Sequence, residues 1–132
     1  MSDERRPRVL VVDDEAHVRG LLCDVLGLWG CQVVEAPTCD TALALFEQGD
    51  YDLVLTDLLM PGRTGLDLIR DVRSRDPEIG VILFTASAGD FDADSQRLEF
   101  TLLQKPLQLE GLKSAVGQAL RGRARTTPAA FL

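Results

Sequence analysis

The feature that most constrains this chain is an alternation of two hydrophobic periods. Short apolar runs, with no polar face of their own, are separated by stretches whose apolar residues recur at three- and four-residue steps. Val9-Leu10-Val11-Val12 is such a run, and a strand of that composition must be covered on both faces. Val18, Leu21, Leu22, Val25, Leu26 and Trp29 then form one stripe of a helix that Gly30 closes. Cys31 to Val34 reads as a second, weaker strand, and Thr38 caps a helix carrying Ala42, Leu45 and Phe46 that stops at Gly49. Leu53-Val54-Leu55 is a third strand, followed by a Met60-Pro61-Gly62 loop. Thr64 and Asp67 have capping-box spacing for a helix through Leu66, Ile69 and Val72 to Arg75. Val81 to Phe84 is the fourth strand, Thr101 to Leu103 a short fifth, and Leu109, Leu112, Val116 and Leu120 mark a last helix.

Strands alternating with helices imply an α/β fold, a doubly wound five-stranded parallel sheet with helices on both faces. Between Thr85 and Thr101 the pattern weakens: Asp90, Asp92, Asp94 and Ser95 interrupt the apolar residues Phe91, Leu98 and Phe100, so a fourth helix there is expected to be short or irregular. Residues 1–7 read as an N-terminal extension, 8–121 as one domain, and 122–132 as a flexible tail in which Arg123 and Arg125 continue a basic cluster begun at Arg121.

Charge and cysteine arithmetic exclude several classes. Fourteen Lys and Arg against 21 Asp and Glu leave a net charge of −7, unsuited to holding nucleic acid or anionic lipid. No apolar run approaches the ~18 residues of a membrane span, and the first residues lack a signal-peptide core, so a cytoplasmic protein is expected. Cys23, Cys31 and Cys39 are odd in number and lack Cys-x-x-Cys spacing, and His17 is the only histidine. Neither a zinc site nor a disulfide framework fits, and core thiols are the plain reading.

In such sheets chemistry gathers at the carboxyl ends of the strands. Those ends carry Asp13-Asp14, Asp57, Thr85 and Lys105-Pro106. Every buried run must end in something polar, so each alone means little. Three converging carboxylates, however, repel: two unit charges ~4 Å apart cost about 4 kcal/mol at an effective dielectric of 20. Such a cluster raises its pKa values or holds a cation. The all-oxygen donors favour Mg²⁺ over Ca²⁺, which wants more ligands. A carboxylate beside such a cation, a Lys and a Thr is equipped to accept a phosphoryl group as a nucleophile.

Leu10-Val-Val-Asp-Asp-Glu15, Leu53-Val-Leu-Thr-Asp-Leu-Leu-Met-Pro-Gly62, Ile82-Leu-Phe-Thr-Ala-Ser87 and Lys105-Pro106 together resemble the receiver domain of two-component response regulators. The blocks agree in order and spacing from residue 8 to about 121. The resemblance implies the flavodoxin-like strand order 2-1-3-4-5 and makes Asp57 the phosphoacceptor. Asp14 would ligate Mg²⁺ directly, Asp13 largely through water, and the Leu59 carbonyl would add a ligand. Thr85 would close on the phosphoryl oxygen, Ala86 would leave access, and Lys105, joined to Pro106 by a cis bond, would pair with Asp57. The donor would be a phosphohistidine on a sensor histidine kinase or a histidine phosphotransfer protein. Leu59 and Ser87 would tune the lifetime of the phosphoryl group. The helix that docks the donor would carry His17, whose plainer reading is a solvent-facing residue, and Trp29 reads as core.

Three departures bear on output. Where the family usually has Tyr or Phe three residues before its Lys, this chain has Leu102, and Leu98-Glu99 replaces the usual Gly-Ala. The interval from Thr85 to Lys105 is also a residue or two short. Phe100 is either a substitute switch aromatic or, on the simpler reading, a core residue. A flavin site would need a Ser/Thr/Gly-rich loop after the first strand, where Asp13-Asp14-Glu15 stands; a dehalogenase-type phosphatase would need its strand-end Asp in an Asp-x-Asp, but Asp57 is followed by Leu58 and Leu59. The expectation is a stand-alone relay or adaptor that binds no nucleic acid directly, against the alternative of a phosphorylation-independent binding module.

Overall fold

The computed structural model describes residues 6–86, 91–121 and 128–131. Five strands and five helices alternate: β1 (Arg8–Val12), α1 (Ala16–Leu28), β2 (Gln32–Ala36), α2 (Cys39–Gln48), β3 (Leu53–Asp57), α3 (Gly65–Arg75), β4 (Gly80–Thr85), α4 (Asp92–Leu98), β5 (Thr101–Gln104) and α5 (Leu109–Leu120). The strands form one parallel sheet in the order β2-β1-β3-β4-β5. The doubly wound architecture expected from the sequence is therefore the one adopted.

Side chains alternate between the two faces of a strand, and this explains the uninterrupted apolar runs. Leu10, Val12, Val54, Val81 and Leu83 point into one core with residues of α2 and α3, whereas Val9, Val11, Leu53, Leu55, Ile82 and Phe84 point into a second core with α1 and α5. On α3, Leu68, Ile69 and Val72 are fully buried, worth roughly 1.5–3 kcal/mol each relative to exposure. That helix starts where its sequence says: Thr64 Oγ1 accepts from the Asp67 amide while the Asp67 carboxylate accepts from the Thr64 amide. Thr38 caps α2 by accepting from the Thr41 amide.

Three sequence expectations change. The stripe on α1 is wider than its core face: Leu22 and Leu26 are buried, but Leu21 is 63% exposed. The second strand starts one residue later than expected and runs on through Glu35 to Ala36. Of the flexible tail expected over 122–132, residues 122–127 and 132 lie outside those described, but Ala129–Phe131 form a 3-10 turn with Phe131 buried. Phe131 packs edge-on against Trp29 at 5.7 Å between ring centroids. Pro128 sits over Gly30, whose φ of +92° suits the end of a helix and whose missing side chain makes room for it. Burial of an aromatic ring, which charge in the preceding residues does not reveal, holds this segment down.

The fourth helix has only seven residues, as the weak pattern suggested. It ends at Glu99, in the left-handed region with φ 57°. Arg73, in the last turn of α3, fastens it: Nε donates to the Leu98 carbonyl at 2.7 Å and Nη2 to the Glu99 carbonyl at 2.8 Å. Its other nitrogen, Nη1, reaches the carbonyls of Asp76, Pro77 and Ile79 on the way into β4.

Candidate functional site

Parallel strands bring their carboxyl ends to one edge of the sheet, and β1 and β3 are adjacent. Asp13 follows β1 directly and Asp57 closes β3, so both emerge from the most buried part of the molecule. Asp13 is fully buried, Asp57 nearly so, and Asp14 exposed. One carboxylate oxygen from each of the three lies within 4.8 Å of the others.

The turn after β1 is held closely. The Asp13 amide donates to the Ala36 carbonyl at 3.2 Å, and Asp13 Oδ1 accepts from the Glu15 amide at 2.9 Å. Asp13 Oδ2 is buried with no hydrogen-bond partner. Burial raises the Asp13 carboxyl above its ordinary value; the Glu15 amide works against this, the charge of Asp57 adds to it, Lys105 opposes it and Asp14 adds to it. An orphaned buried oxygen among three carboxylates, with no nitrogen or sulfur ligand beside it, fits a hard cation of the Mg²⁺ kind.

A fixed cation approaches from the other side. Lys105 follows β5, and its Nζ donates to Asp57 Oδ2 at 3.0 Å. Its amide is anchored to the Thr85 carbonyl at 2.9 Å, and its peptide bond to Pro106 is cis, as the resemblance implied. Asp57 Oδ1 faces the Leu59 amide at 3.4 Å. Thr85, almost wholly buried, ends β4 next to Asp57 in the strand order, since Asp57 pairs in register with Phe84. The arrangement presents one carboxylate between a lysine and a cation-suited acidic pair. It is equipped to act as a nucleophile toward a phosphoryl group and to neutralise the charge that develops.

The other residues singled out from the sequence are dispersed. Leu59 is 63% exposed in the loop after β3, and Ser87 lies outside the described residues. Leu102 is half-buried on the α3 side of β5, in register with Leu83. Phe100 is buried in the same core, its carbonyl accepting from Ser95 Oγ at 2.7 Å. His17 is exposed on the first turn of α1. Between α1 and α5, beside Lys105, lies an apolar groove of about 240 Å³ lined by Val18, Leu21, Val25, Pro106, Leu107 and Leu109. The cysteines are all free, and burial pushes the thiols of Cys23 and Cys31 up to about 11.

Sequence reasoning missed Gly65. A Cβ there would lie 2.2 Å from the Asp57 carbonyl oxygen, so α3 reaches the end of β3 only because residue 65 has no side chain. Nothing local marks it, because a glycine in the first helical position is ordinary and the close approach is to backbone.

Residues 9–117 match the response regulator receiver domain family. Among curated proteins, the response regulator protein PilR of Pseudomonas aeruginosa is 36% identical over 121 residues, which are 89% of this chain and 27% of that protein. The two-component response regulator PhoP of the same species is 34% identical, over 86% of this chain and 52% of its own length. The chain thus spans between about a quarter and a half of these relatives. Among solved structures, the response regulator TrrA of Thermotoga maritima, in complex with Mg(2+)-BeF, superposes with a TM-score of 0.78 at 34% identity, covering 86% of this chain and 99% of that one. Fold, site and likeness agree, and the chain belongs to the response regulator receiver domain family.

Proposed function

We propose that this receiver takes a phosphoryl group onto Asp57, with Asp13, Asp14, Asp57 and the Leu59 carbonyl holding Mg²⁺. The observation that carries the reading is a contrast within the acidic cluster: Asp57 Oδ2 is already paired with Lys105 at 3.0 Å, while Asp13 Oδ2 is buried and unpartnered. A carboxylate so placed has one fixed cation and a place for another. Receiver domains bind Mg²⁺ through such an acidic cluster and receive their phosphoryl group from histidine kinases or phosphotransfer proteins.

In the proposed step an Asp57 oxygen attacks phosphorus in line as the P–N bond of a phosphohistidine breaks, and the donor imidazole leaves with the bonding electron pair. Bound Mg²⁺ supplies charge neutralisation at the phosphoryl oxygens. Lys105 shifts its hydrogen bond from the carboxylate to the phosphoryl group, and the Thr85 hydroxyl donates to another phosphoryl oxygen. The groove between α1 and α5 supports helical docking of the donor: it is apolar, it lies beside Lys105, and Leu21 and Leu109 stand 63% and 59% exposed on its rim. His17 then stands at the edge of the contact. Leu59 and Ser87 are proposed to set the lifetime of the acyl phosphate. No described helix is long and apolar enough to cross a membrane, and we place the reaction in the cytoplasm.

The favoured output of this domain by itself is onward transfer or phosphorylation-dependent binding. A second reading, binding independent of phosphorylation, is favoured by Leu102 standing where an aromatic usually couples to the Thr. Intact mass after incubation with a small phosphodonor and Mg²⁺ tests the main reading. One added phosphoryl group is expected, absent in Asp57→Asn and with EDTA. No gain by a folded protein, even from a phosphohistidine donor, leaves the second reading.

A further inference from the structure

Arg19 stands one turn into α1, and its side chain is only 16% exposed although it carries a full charge. Its guanidinium makes two bonds. Nε pairs with Glu35 Oε1 near the end of β2 at 2.8 Å, and Nη1 donates to the Asp13 carbonyl oxygen at 2.7 Å. The second acceptor matters more, because that carbonyl belongs to the peptide linking Asp13 to Asp14. A bond to it fixes the plane of that peptide and therefore the direction in which Asp14 leaves the turn.

The surrounding contacts complete the constraint. The Asp13 amide is held by Ala36 and its Oδ1 by the Glu15 amide, so Arg19 occupies the last backbone acceptor of this residue and leaves Oδ2 alone without a partner. Three mutually repelling carboxylates would otherwise drive the 13–14 turn open. A planar fork seated on both strand ends resists that.

We propose that Arg19 is a positioning residue for the cation site: through the Asp13 carbonyl it orients Asp13 and Asp14 to ligate a divalent ion. The inference rests on the reading of the acidic cluster as a Mg²⁺ site. It has a sign that separates it from simple electrostatics. A positive charge near a dication opposes binding, so by Coulomb repulsion alone the removal of Arg19 would tighten Mg²⁺. Positioning requires the opposite.

The test is calorimetric titration of Mg²⁺ into the unphosphorylated protein, with urea unfolding to show that each variant is folded. Arg19→Met is expected to weaken Mg²⁺ about tenfold, the usual scale for losing a group that orients a metal ligand. Glu35→Ala removes the ion pair but leaves the Asp13 bond, so it is expected to lose less affinity. Should Arg19→Met fail to fold, Arg19→Lys decides: it keeps the charge without the fork and is expected to bind Mg²⁺ more weakly than wild type. Unchanged or tighter binding in the folded Arg19 variant, or a greater loss in Glu35→Ala, would overturn the proposal alone. A wild-type protein that binds no Mg²⁺ would overturn the reading of the site and the proposal with it.

Discussion

At the centre of the sheet every residue of β3 and all of β1 except Arg8 are buried, and the strands meet neighbours on both sides. At its edge β5 has Thr101 and Gln104 exposed and Leu102 and Leu103 only half-buried, beside a helix of seven residues. The first region is held by apolar packing from two cores. The second depends heavily on one guanidinium, that of Arg73, bonded to five backbone carbonyls. Packing in a dense core is all-or-none, whereas a set of hydrogen bonds to a single side chain can exchange for another set at small cost. The acidic residues end strands of the first region, and we expect the response to phosphorylation in the second.

The largest expected effect contrasts two leucines that face each other in register, Leu83 on β4 and Leu102 on β5. Leu83→Ala empties a fully buried site and is expected to cost about 2–5 kcal/mol in urea unfolding. Leu102→Ala should cost less than half as much, and equal losses would erase the distinction between centre and edge. Gly65→Ala comes next. Its Cβ would meet the Asp57 carbonyl oxygen first, at 2.2 Å, and backbone cannot turn aside as the neighbouring Leu83 side chain can, so a loss of about 1–3 kcal/mol is expected, together with slower phosphorylation of Asp57.

Arg73→Met should release α4 without disturbing the site. Charged hydrogen bonds contribute about 1.5–3 kcal/mol each, so amide exchange in residues 92–101 is expected to rise at least ~tenfold, with β1 and β3 unchanged. The smallest effect concerns the cap of α3. The backbone amide of Thr64 lowers the Asp67 carboxyl below its ordinary value of 3.8. A depressed acid contributes stability above its unfolded value, and that stability is lost as pH falls through the folded one. The melting temperature of Asp67→Ala should therefore lie slightly below wild type at pH 7, and the gap should close as the pH is lowered below 3.8.

The same contrast explains what the sequence disclosed. Centre strands announce themselves because two-sided burial demands uninterrupted Val, Leu and Ile, and the residues that end such runs are necessarily at the site; hence Asp13, Asp57 and Thr85 were legible. Thr64 and Asp67 were legible because a capping box is local. Arg19 and Arg73 were not, because each binds backbone carbonyls, 3 to 26 residues away, and a carbonyl has no letter in the sequence. Gly65 was hidden by the same blindness to backbone approach, and Pro128 to Phe131 by the polar residues before them.

The most direct test is hydrogen exchange across the whole chain, with and without Mg²⁺ and beryllofluoride, whose tetrahedral form on a carboxylate stands in for an acyl phosphate. The β1 and β3 amides should keep their protection, while residues 91–104 change theirs markedly. A response confined to the strand ends, or spread evenly through β1, β3 and β5, would contradict the division between a fixed acidic centre and a responsive edge.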